Sequence, residues 1–270
     1  MRVITKSFIM MISTLILVSC ADQPSQKILE SLFTERGIAG TIGISNLDGS
    51  KKYQAFPERA RTPFLPASTF KIPNSLIALE EAAVSSPEEV LFWDGEVRFV
   101  DAWNQDHSMK TAFPVSCVWF YQDIALRIGN EKYLQYLKNF EYGNMITGPE
   151  LTKFWLDGDI RITTEEQISF LKKFYKNDLP INQEHLAQVK EIMIFEETGE
   201  YTILAKTGWA IRTDGEHGWW VGYVIKKDEV WFFAINIEIN SNEDYGKQKD
   251  ITREALTLIG VLPQTQKDMN

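Results

Sequence analysis

The chain has 270 residues, of which 44% are apolar, 12% aromatic and 24% charged, a composition typical of a folded globular protein rather than a disordered, collagen-like or coiled-coil chain. Its formal charge of −9 argues against nucleic acid as a partner, because an acidic surface repels phosphates. Two cysteines and three histidines, with no H-E-x-x-H or C-x-x-C spacing among them, argue against a metal centre.

Residues 1–21 have the pattern of a signal peptide. Two basic residues precede an apolar run from Phe8 to Val18, and polar sequence resumes at Asp22. The run is too short to span a bilayer comfortably, so we expect an exported, periplasmic protein. Three outcomes fit the segment: cleavage among the small residues around Cys20, lipidation of Cys20 in the lipobox-like Leu17–Cys20, and a retained leader. Only a lipidated Cys20 would anchor the protein to a membrane.

Strand patterns lie towards both ends of the remaining chain, residues 22–270, and helical periodicity fills its middle. The predicted strands are Ala39–Ser45, Tyr53–Phe56, Tyr201–Ala205, Trp219–Ile225 and Val230–Ile237, with turns at 46–50 and 227–229. The predicted helices are Phe70–Ala83, Cys117–Ile128, Tyr133–Phe140, Glu165–Tyr175, Glu184–Phe195 and Lys249–Ile259. This order predicts one α/β domain with a helical insertion at roughly residues 86–195.

Capping patterns mark the ends of three predicted helices. Thr164 with Gln167 fits a capping box, and Asn182 fits the N-cap of the helix that follows it. Gly260 would end the last helix, because glycine adopts the left-handed conformation readily.

Ser68 and Lys71 are three residues apart at the start of a predicted helix, which places them on one face. A serine becomes a good nucleophile when a base removes its proton, and lysine can be that base only if its pKa is lowered. The helix start and the apolar neighbours Phe70 and Ile72 both lower it. The spacing alone is weak, since Ser169–Lys172 repeats it and Ser68 also fits a helix cap beside a surface lysine.

Two further patterns strengthen this site. Lys206-Thr207-Gly208 ends a predicted strand, where a cation, a hydroxyl and close backbone approach suit an extended acyl substrate. Ser116 starts a predicted helix, and its hydroxyl could pass a proton in the same cleft.

The order Ser68-x-x-Lys71, Ser116-x-Val118, Lys206-Thr207-Gly208 resembles the serine β-lactamases and penicillin-recognising transpeptidases. The finer pattern is similar to class D, the oxacillinase-type β-lactamases, with Val118 where transpeptidases usually have Asn. The class A deacylation glutamate has no evident counterpart. The other motifs that carry the class D resemblance are Tyr142-Gly143-Asn144, Trp155-Leu156-Asp157-Gly158 and Gly218-Trp219-Trp220-Val221-Gly222.

The resemblance implies a transpeptidase-like α+β fold, an antiparallel sheet flanked by helices with an inserted all-helical subdomain. It also implies hydrolysis of β-lactam antibiotics through an acyl-enzyme on Ser68, and hence antibiotic resistance. Lys71 would be N-carboxylated by carbon dioxide and act as general base, with no other cofactor. Carbon dioxide adds only to a neutral amine, which an apolar pocket supplies.

The resemblance assigns the remaining roles in the same way. Trp155 would donate its indole N–H to the carbamate, and Val118 would form a dry wall with Phe70. Backbone N–H groups of Ser68 and of Trp209, the residue after Gly208, would form the oxyanion hole. The other expected roles are a proton relay at Ser116, a positive charge at Lys206 and a contact with the substrate side chain at Trp103.

One position departs from the family pattern. An arginine that binds the substrate carboxylate usually lies three residues before an Ile-Thr pair, and here Gln248 precedes Ile251-Thr252. Gln248 cannot form the bidentate ion pair of arginine, so we expect weaker binding of some substrates. Neighbouring Lys247, Lys249 or Arg253 would be candidates to compensate. Alternatively, Thr207 and Lys206 would hold the carboxylate without help.

Three other functional hypotheses remain open besides β-lactam hydrolysis. They are a β-lactam-sensing receptor domain, a small transpeptidase or carboxypeptidase, and a non-enzymatic lipoprotein. The remaining soft side chains predict structural roles: Cys117 a buried thiol, and His107, His185 and His217 surface positions beside polar neighbours.

Overall fold

The computed structural model describes residues 25–211 and 215–264. The helices are α1 (Gln26–Thr34), α2 (Pro57–Ala60), α3 (Lys71–Glu80), α4 (Met109–Ala112), α5 (Val118–Ile128), α6 (Asn130–Phe140), α7 (Thr164–Lys176), α8 (Gln183–Ile192) and α9 (Lys247–Leu258). The strands are β1 (Gly40–Asn46), β2 (Lys52–Ala55), β3 (Val90–Leu91), β4 (His107–Ser108), β5 (Ile194–Glu197), β6 (Thr202–Ala210), β7 (His217–Lys226) and β8 (Glu229–Glu238). Short 3-10 helices cover Ala67–Phe70, Asp101–Trp103 and Asn242–Asp244.

Within the described residues, six strands form one antiparallel sheet in the order β2-β1-β8-β7-β6-β5. The first hairpin pairs with the last strand, Gly40 of β1 lying opposite Ile237 of β8. The chain therefore leaves the sheet after β2 and returns to it with β5, as the strand patterns at both ends predict. A separate two-stranded ribbon pairs β3 with β4.

The sheet separates two apolar cores. Alternate side chains of a strand point to opposite faces, so Trp219 and Val221 of β7 join the core that includes α3 and α5 to α8. Trp220 and Val224 join the core that includes α1 and α9. Directly opposite residues share a face. Lys206, paired with Val221, therefore faces the first core.

The capping prediction for α7 is off by one residue. The Thr163 hydroxyl accepts from the Glu166 N–H at 3.1 Å, and the Glu166 carboxylate accepts from the Thr163 N–H at 2.8 Å. Gln167 instead donates to the Thr69 hydroxyl at 3.0 Å inside the core. Asn182 caps α8 as predicted, accepting from the Glu184 N–H at 2.9 Å.

Other element boundaries differ where strand pairing overrides local pattern. Helix α8 ends at Ile192, and Phe195 lies in β5, which pairs with β6. Strand β6 continues to Ala210 because β7 pairs with it along its whole length, so Lys206-Thr207-Gly208 lies inside the strand and not at its end. Helix α1 and the ribbon of β3 and β4 are additional to the predicted elements.

The predicted signal peptide and Cys20 lie outside the described residues and stay predictions. In residues 25–211 and 215–264, no helix combines the length and apolarity needed to cross a bilayer. The predicted insertion, residues 86–195, contains α4 to α8 and the β3–β4 ribbon. Its separation as a subdomain of the 22–270 body also stays a prediction.

Candidate active site

Ser68 lies in a tight 3-10 turn that runs directly into α3. Thr69 ties the turn to Pro66, with its N–H and its hydroxyl donating to the Pro66 carbonyl at 3.1 and 2.7 Å. Ala67 has a φ of 48°, a left-handed conformation that is costly for a residue with a Cβ. The strained turn holds Ser68 at the N-terminus of α3.

Lys71 is fully buried beside this serine. Its Nζ donates to Ser68 Oγ at 3.1 Å and lies 5.0 Å from the ring centroid of Tyr121. Burial lowers the pKa of Lys71 from its usual 10.5 to about 7, because the charged ammonium loses its hydration. A lysine with this pKa is unprotonated in a large fraction of molecules at neutral pH, so it can accept the serine proton.

An aromatic cluster surrounds Phe70, the residue before Lys71. The Phe70 ring is stacked on Trp155 at 5.8 Å and meets Phe154 edge to face at 5.0 Å. Val118, at the start of α5, is half-buried against the same core. The indole N–H of Trp155 is buried and has no hydrogen-bond partner among the described residues. A buried donor without a partner is costly, so the Trp155 N–H is suited to a further acceptor.

Ser116 and Lys206 are linked by a hydrogen bond between their side chains. Lys206 Nζ donates to Ser116 Oγ at 2.5 Å and to the carbonyl and hydroxyl oxygens of Thr207 at 3.2 and 3.4 Å. Ser116 has a φ of 56°, so the backbone is again held in a left-handed conformation to aim this hydroxyl.

The charge of Lys206 differs from the sequence-based expectation. Burial first, and then the nearby cations Lys71 and Lys249, lower its pKa well below the usual value. Lys206 therefore loses its proton more readily than a surface lysine and is not a permanent positive charge. An anion bound beside it would raise its pKa again.

The outer edge of β6 lies open beside Ser68. Strand β5 pairs with β6 only as far as Leu204, whereas β7 pairs with it through Ala210. A Cβ added at Gly208 would lie 3.0 Å from the Pro66 carbonyl oxygen and 3.2 Å from the Thr69 nitrogen. This close approach needs glycine, and it places the backbone of Trp209 next to the turn that carries Ser68.

Three outer site residues have defined partners. The Trp209 ring stacks on Tyr245 with centroids 4.8 Å apart, and its N–H donates to Glu216 at 3.2 Å. Trp103 donates its indole N–H to the Val115 carbonyl at 2.8 Å. Gln248 is buried, and its Oε1 accepts from the Gly246 N–H at 2.9 Å.

The side-chain amide of Gln248 is a second buried donor, after the indole N–H of Trp155. Among the described residues, Gln248 Nε2 has no partner. The Gln248 side chain lies over Gly218, where an added Cβ would be 3.6 Å from Cδ. Gly218 and Trp220 are two residues apart in β7 and therefore lie on the same face of the sheet. Trp220 pairs with Thr207 of β6, so Thr207 lies on this face as well. The amide is thus on the same sheet face as Thr207, close to the open edge of β6.

The structure also places residues that the motifs alone do not reveal. Tyr121 faces Lys71 and its hydroxyl is hydrogen-bonded to that of Ser75 at 2.9 Å. Its spacing of three from Val118 on α5 is a signal that could have found it. Tyr245 has no comparable signal, because the fold alone brings it to Trp209.

The predictions for the soft side chains have mixed outcomes. Cys117 is buried as predicted, and burial raises the pKa of its thiol to about 11. His107 and His217 are buried rather than exposed, since their rings bond to the carbonyls of Ala102 and Leu65 at 2.8 and 2.9 Å. In residues 25–211 and 215–264, no three His, Cys, Asp or Glu side chains are grouped to hold a metal ion.

Known proteins share both the sequence and the fold. The penicillin binding protein transpeptidase domain family matches residues 38–257. β-Lactamase OXA-48 of Klebsiella pneumoniae is 39% identical, covering 97% of this chain and 100% of its own length. β-Lactamase OXA-2 of Salmonella typhimurium is 40% identical over 86% of this chain and 84% of its own.

Solved structures agree with these sequence matches. The class D β-lactamase YbXI from Nostoc superposes with a TM-score of 0.85 at 41% identity, covering 87% of this chain and 99% of its own. The class D β-lactamase FUS-1 (OXA-85) from Fusobacterium nucleatum subsp. polymorphum gives 0.85 at 34% identity, covering 87% and 98%. The predicted transpeptidase-like fold and family are confirmed. The chain belongs to the penicillin-binding transpeptidase-domain family and, within it, to the class D β-lactamases.

Proposed function

We propose that this protein hydrolyses the amide bond of β-lactam antibiotics through an acyl-enzyme on Ser68 and so confers resistance to them. The main support is the buried Lys71, whose Nζ lies 3.1 Å from Ser68 Oγ and whose pKa is lowered to about 7. A neutral amine at hydrogen-bond distance is what a serine nucleophile needs. Family membership, with relatives named as β-lactamases, supports the substrate class.

Acylation needs three proton transfers. Ser68 Oγ attacks the lactam carbonyl carbon while the Lys71 side chain takes its proton, and the C–N bond of the lactam breaks. The leaving nitrogen receives a proton from Ser116, which Lys206 resupplies through their 2.5 Å hydrogen bond. Backbone N–H groups of Ser68 and Trp209 are the proposed donors to the developing oxyanion.

Carbon dioxide fits the Lys71 pocket. Lys71 is buried with a lowered pKa, so it offers the neutral amine that carbon dioxide requires. The Trp155 N–H is buried and has no partner among the described residues, so it is available as a donor, and Val118 and Phe70 in the same apolar core would exclude water. Carbon dioxide bound on Nζ would supply an anionic base for the serine proton and later for the hydrolytic water.

The substrate carboxylate would bind on the β6 side of the cleft. Thr207 offers its hydroxyl and Lys206 its Nζ, 3.4 Å apart. Gln248 Nε2, which has no partner among the described residues, lies on the sheet face of Thr207 and would add a neutral donor in place of the family arginine. A neutral amide binds a carboxylate less strongly than a bidentate guanidinium does. Trp103 is the proposed contact for the substrate side chain.

Kinetics with nitrocefin and intact mass after benzylpenicillin test the proposal, with Ser68→Ala as the control. We expect steady-state turnover that Ser68→Ala abolishes. A persistent adduct with negligible turnover would favour a β-lactam sensor, and cleavage of cell-wall peptides would favour a transpeptidase or carboxypeptidase. The absence of both an adduct and turnover would indicate a non-enzymatic lipoprotein.

Activity should also depend on pH and carbon dioxide. The neutral fraction of Lys71 decreases as the pH falls below about 7, so turnover in degassed buffer should fall with it and bicarbonate should restore part of the loss. Equal rates with and without bicarbonate at pH 6 would contradict a carboxylated Lys71. Export to the periplasm is proposed from residues 1–21, and fatty-acid labelling of Cys20 tests the lipid anchor.

A further inference from the structure

The carbonyl of Leu65, three residues before Ser68, is held by two side chains of one strand. Trp219 donates its indole N–H to this carbonyl at 2.8 Å, and His217 Nε2 lies 2.9 Å from it. His217 and Trp219 are two residues apart in β7, so both side chains lie on the same face of the sheet. His217 lies outside the motif that begins at Gly218, and the proposed mechanism gives it no role.

The buried ring of His217 is a neutral hydrogen-bond donor. It is 5% exposed, with Nε2 at 2.9 Å from the Leu65 carbonyl and Nδ1 at 3.3 Å from the Gly215 carbonyl. Burial lowers the pKa of His217 in spite of these two carbonyls, and Arg59 and Arg161 add to the effect. A neutral imidazole has a single N–H. The shorter contact assigns that N–H to Nε2, so the ring donates to Leu65.

The turn between Leu65 and Ser68 depends on such anchors. Ala67 has a φ of 48°, and a left-handed conformation persists only where the surrounding structure imposes it. On the Ser68 side, the Thr69 N–H and hydroxyl hold the Pro66 carbonyl at 3.1 and 2.7 Å. On the other side, the donors of β7 hold the Leu65 carbonyl. A turn released at Leu65 would relax and displace the Ser68 backbone.

The strand that anchors this turn also positions the second proposed oxyanion donor. In the pairing of β6 with β7, His217 lies opposite Ala210, and Gly218 lies opposite Trp209. The His217 ring therefore connects the paired strands, which carry the Trp209 N–H, to the turn that carries the Ser68 N–H. Oxyanion donors stabilise a transition state only when they are held in place before the reaction.

We propose that His217 is a positioning residue, whose Nε2–H holds the Leu65 carbonyl against β7 and thereby sets the separation of the oxyanion donors on Ser68 and Trp209. This inference rests on the proposed function. His217 contacts no reacting atom. Because the developing oxyanion exists only during the reaction, His217 should affect the rate constant of acylation and not the affinity for the unreacted substrate.

Stopped-flow acylation by nitrocefin, with three variants of His217, separates a donor from mere packing. The amide nitrogen of His217→Gln can take about the place of Nε2, that of His217→Asn lies near Nδ1, and His217→Leu has no donor. His217→Asn and His217→Leu should lower the acylation rate constant about 10-fold, less than the loss of an oxyanion donor itself. His217→Gln should stay within about 3-fold of wild type, and the dissociation constant of nitrocefin should change less than about 2-fold in all three.

His185→Leu is the matched control. His185 Nδ1 is also hydrogen-bonded at 2.8 Å, to Glu80 at the opposite end of α3 from Ser68. This variant should keep the wild-type acylation rate constant. A rate constant does not depend on how much of the protein is folded, so a purely structural loss would lower only the amplitude of the acylation burst.

Three results would overturn the proposal. They are equal rate constants in His217→Gln and His217→Leu, a lower burst amplitude with unchanged rate constants, and an effect confined to the dissociation constant. Each of them presupposes wild-type protein that nitrocefin acylates. Wild-type protein that nitrocefin does not acylate would instead refute the proposed function itself.

Discussion

Lys71 and Lys206 are both buried in one cleft, but their surroundings are opposite in character. Lys71 is buried, and its Nζ donates to Ser68 Oγ and lies over the Tyr121 ring. Lys206 has three oxygen acceptors on Ser116 and Thr207. The apolar pocket favours a neutral amine, whereas the oxygen-lined pocket offers the ammonium partial compensation for its lost hydration.

This difference indicates a division of labour between identical side chains. Each ammonium disfavours the other, since Lys71 is among the causes that lower the pKa of Lys206. A proton taken up on the Lys71 side therefore makes it easier for Lys206 to give one away through Ser116. Substitutions in and around the two pockets separate these roles.

Lys71→Met should reduce nitrocefin turnover by at least about 10³-fold, because it removes the base while keeping the volume of the side chain. The same variant should raise the free energy of unfolding, since an apolar pocket no longer holds a desolvated amine. Lys206→Met is the comparison variant. It removes the hydrogen bond to Ser116 Oγ and should therefore raise the free energy of unfolding by less than Lys71→Met does. A Lys71→Met protein less stable than wild type in urea would contradict this account of the pocket.

The stability difference should also vary with pH in a defined direction. Lys71 has a pKa of about 7 in the folded protein, below the usual 10.5 of an unfolded chain, so between these values the unfolded state binds more protons. Wild-type stability should therefore rise with pH relative to Lys71→Met, by up to about 1.4 kcal/mol per unit. A difference that stays constant from pH 7 to 9 would refute the lowered pKa.

Ser116→Ala should lower kcat about 10²-fold by removing the proposed proton relay, a typical size for general acid catalysis. Ser45→Ala is a matched control, because Ser45 also accepts from a lysine, Lys172 Nζ at 2.9 Å, but outside the cleft. The control should keep wild-type rates. An equal loss in both variants, or none in Ser116→Ala, would remove the relay from the mechanism.

Trp155→Phe should lower kcat about 10-fold at low bicarbonate, because the ring remains but the N–H donor is lost. Bicarbonate at saturation should reduce the deficit. Trp220→Phe is the matched control: its indole N–H is also buried without a partner among the described residues, but in the core on the other sheet face. If both variants behave alike, the unpartnered donor of Trp155 has no special role.

Gln248→Arg should lower KM for penicillins about 3-fold with little change in kcat, because an ion pair replaces a neutral hydrogen bond to the carboxylate. Gln248→Leu removes the amide and should raise KM by a similar factor. Unchanged KM in both variants would place the carboxylate entirely on Thr207 and Lys206.

The parts of the molecule that depend on local pattern were predictable from the sequence. The hairpin of β1 and β2, the helices of the middle region and the N-cap at Asn182 follow from turn residues and periodicity. The motif order was sufficient to identify the family and to name Ser68 and Lys71. Local pattern and motif spacing are read along the chain, so neither needs the third dimension.

The parts that depend on tertiary pairing were not predictable. The length of β6 is set by its partner β7, and His217 is buried where its ring meets the carbonyl of Leu65, which is 152 residues earlier in the chain. The lowered pKa of Lys206 requires knowing that Lys71 and Lys249 lie nearby. The left-handed conformation of Ser116 likewise gives no sequence signal, because the surrounding structure imposes it.

The burial of Cys117 makes a form of the protein without Cys20 convenient for site-specific labelling. Maleimides and nitroxide reagents react with accessible thiolates, and this thiol is fully buried with its pKa raised to about 11. A single cysteine introduced at an exposed site such as Phe92 would then take a fluorophore or spin label without background from the core. Distances from that probe to a bound antibiotic would report cleft occupancy in real time.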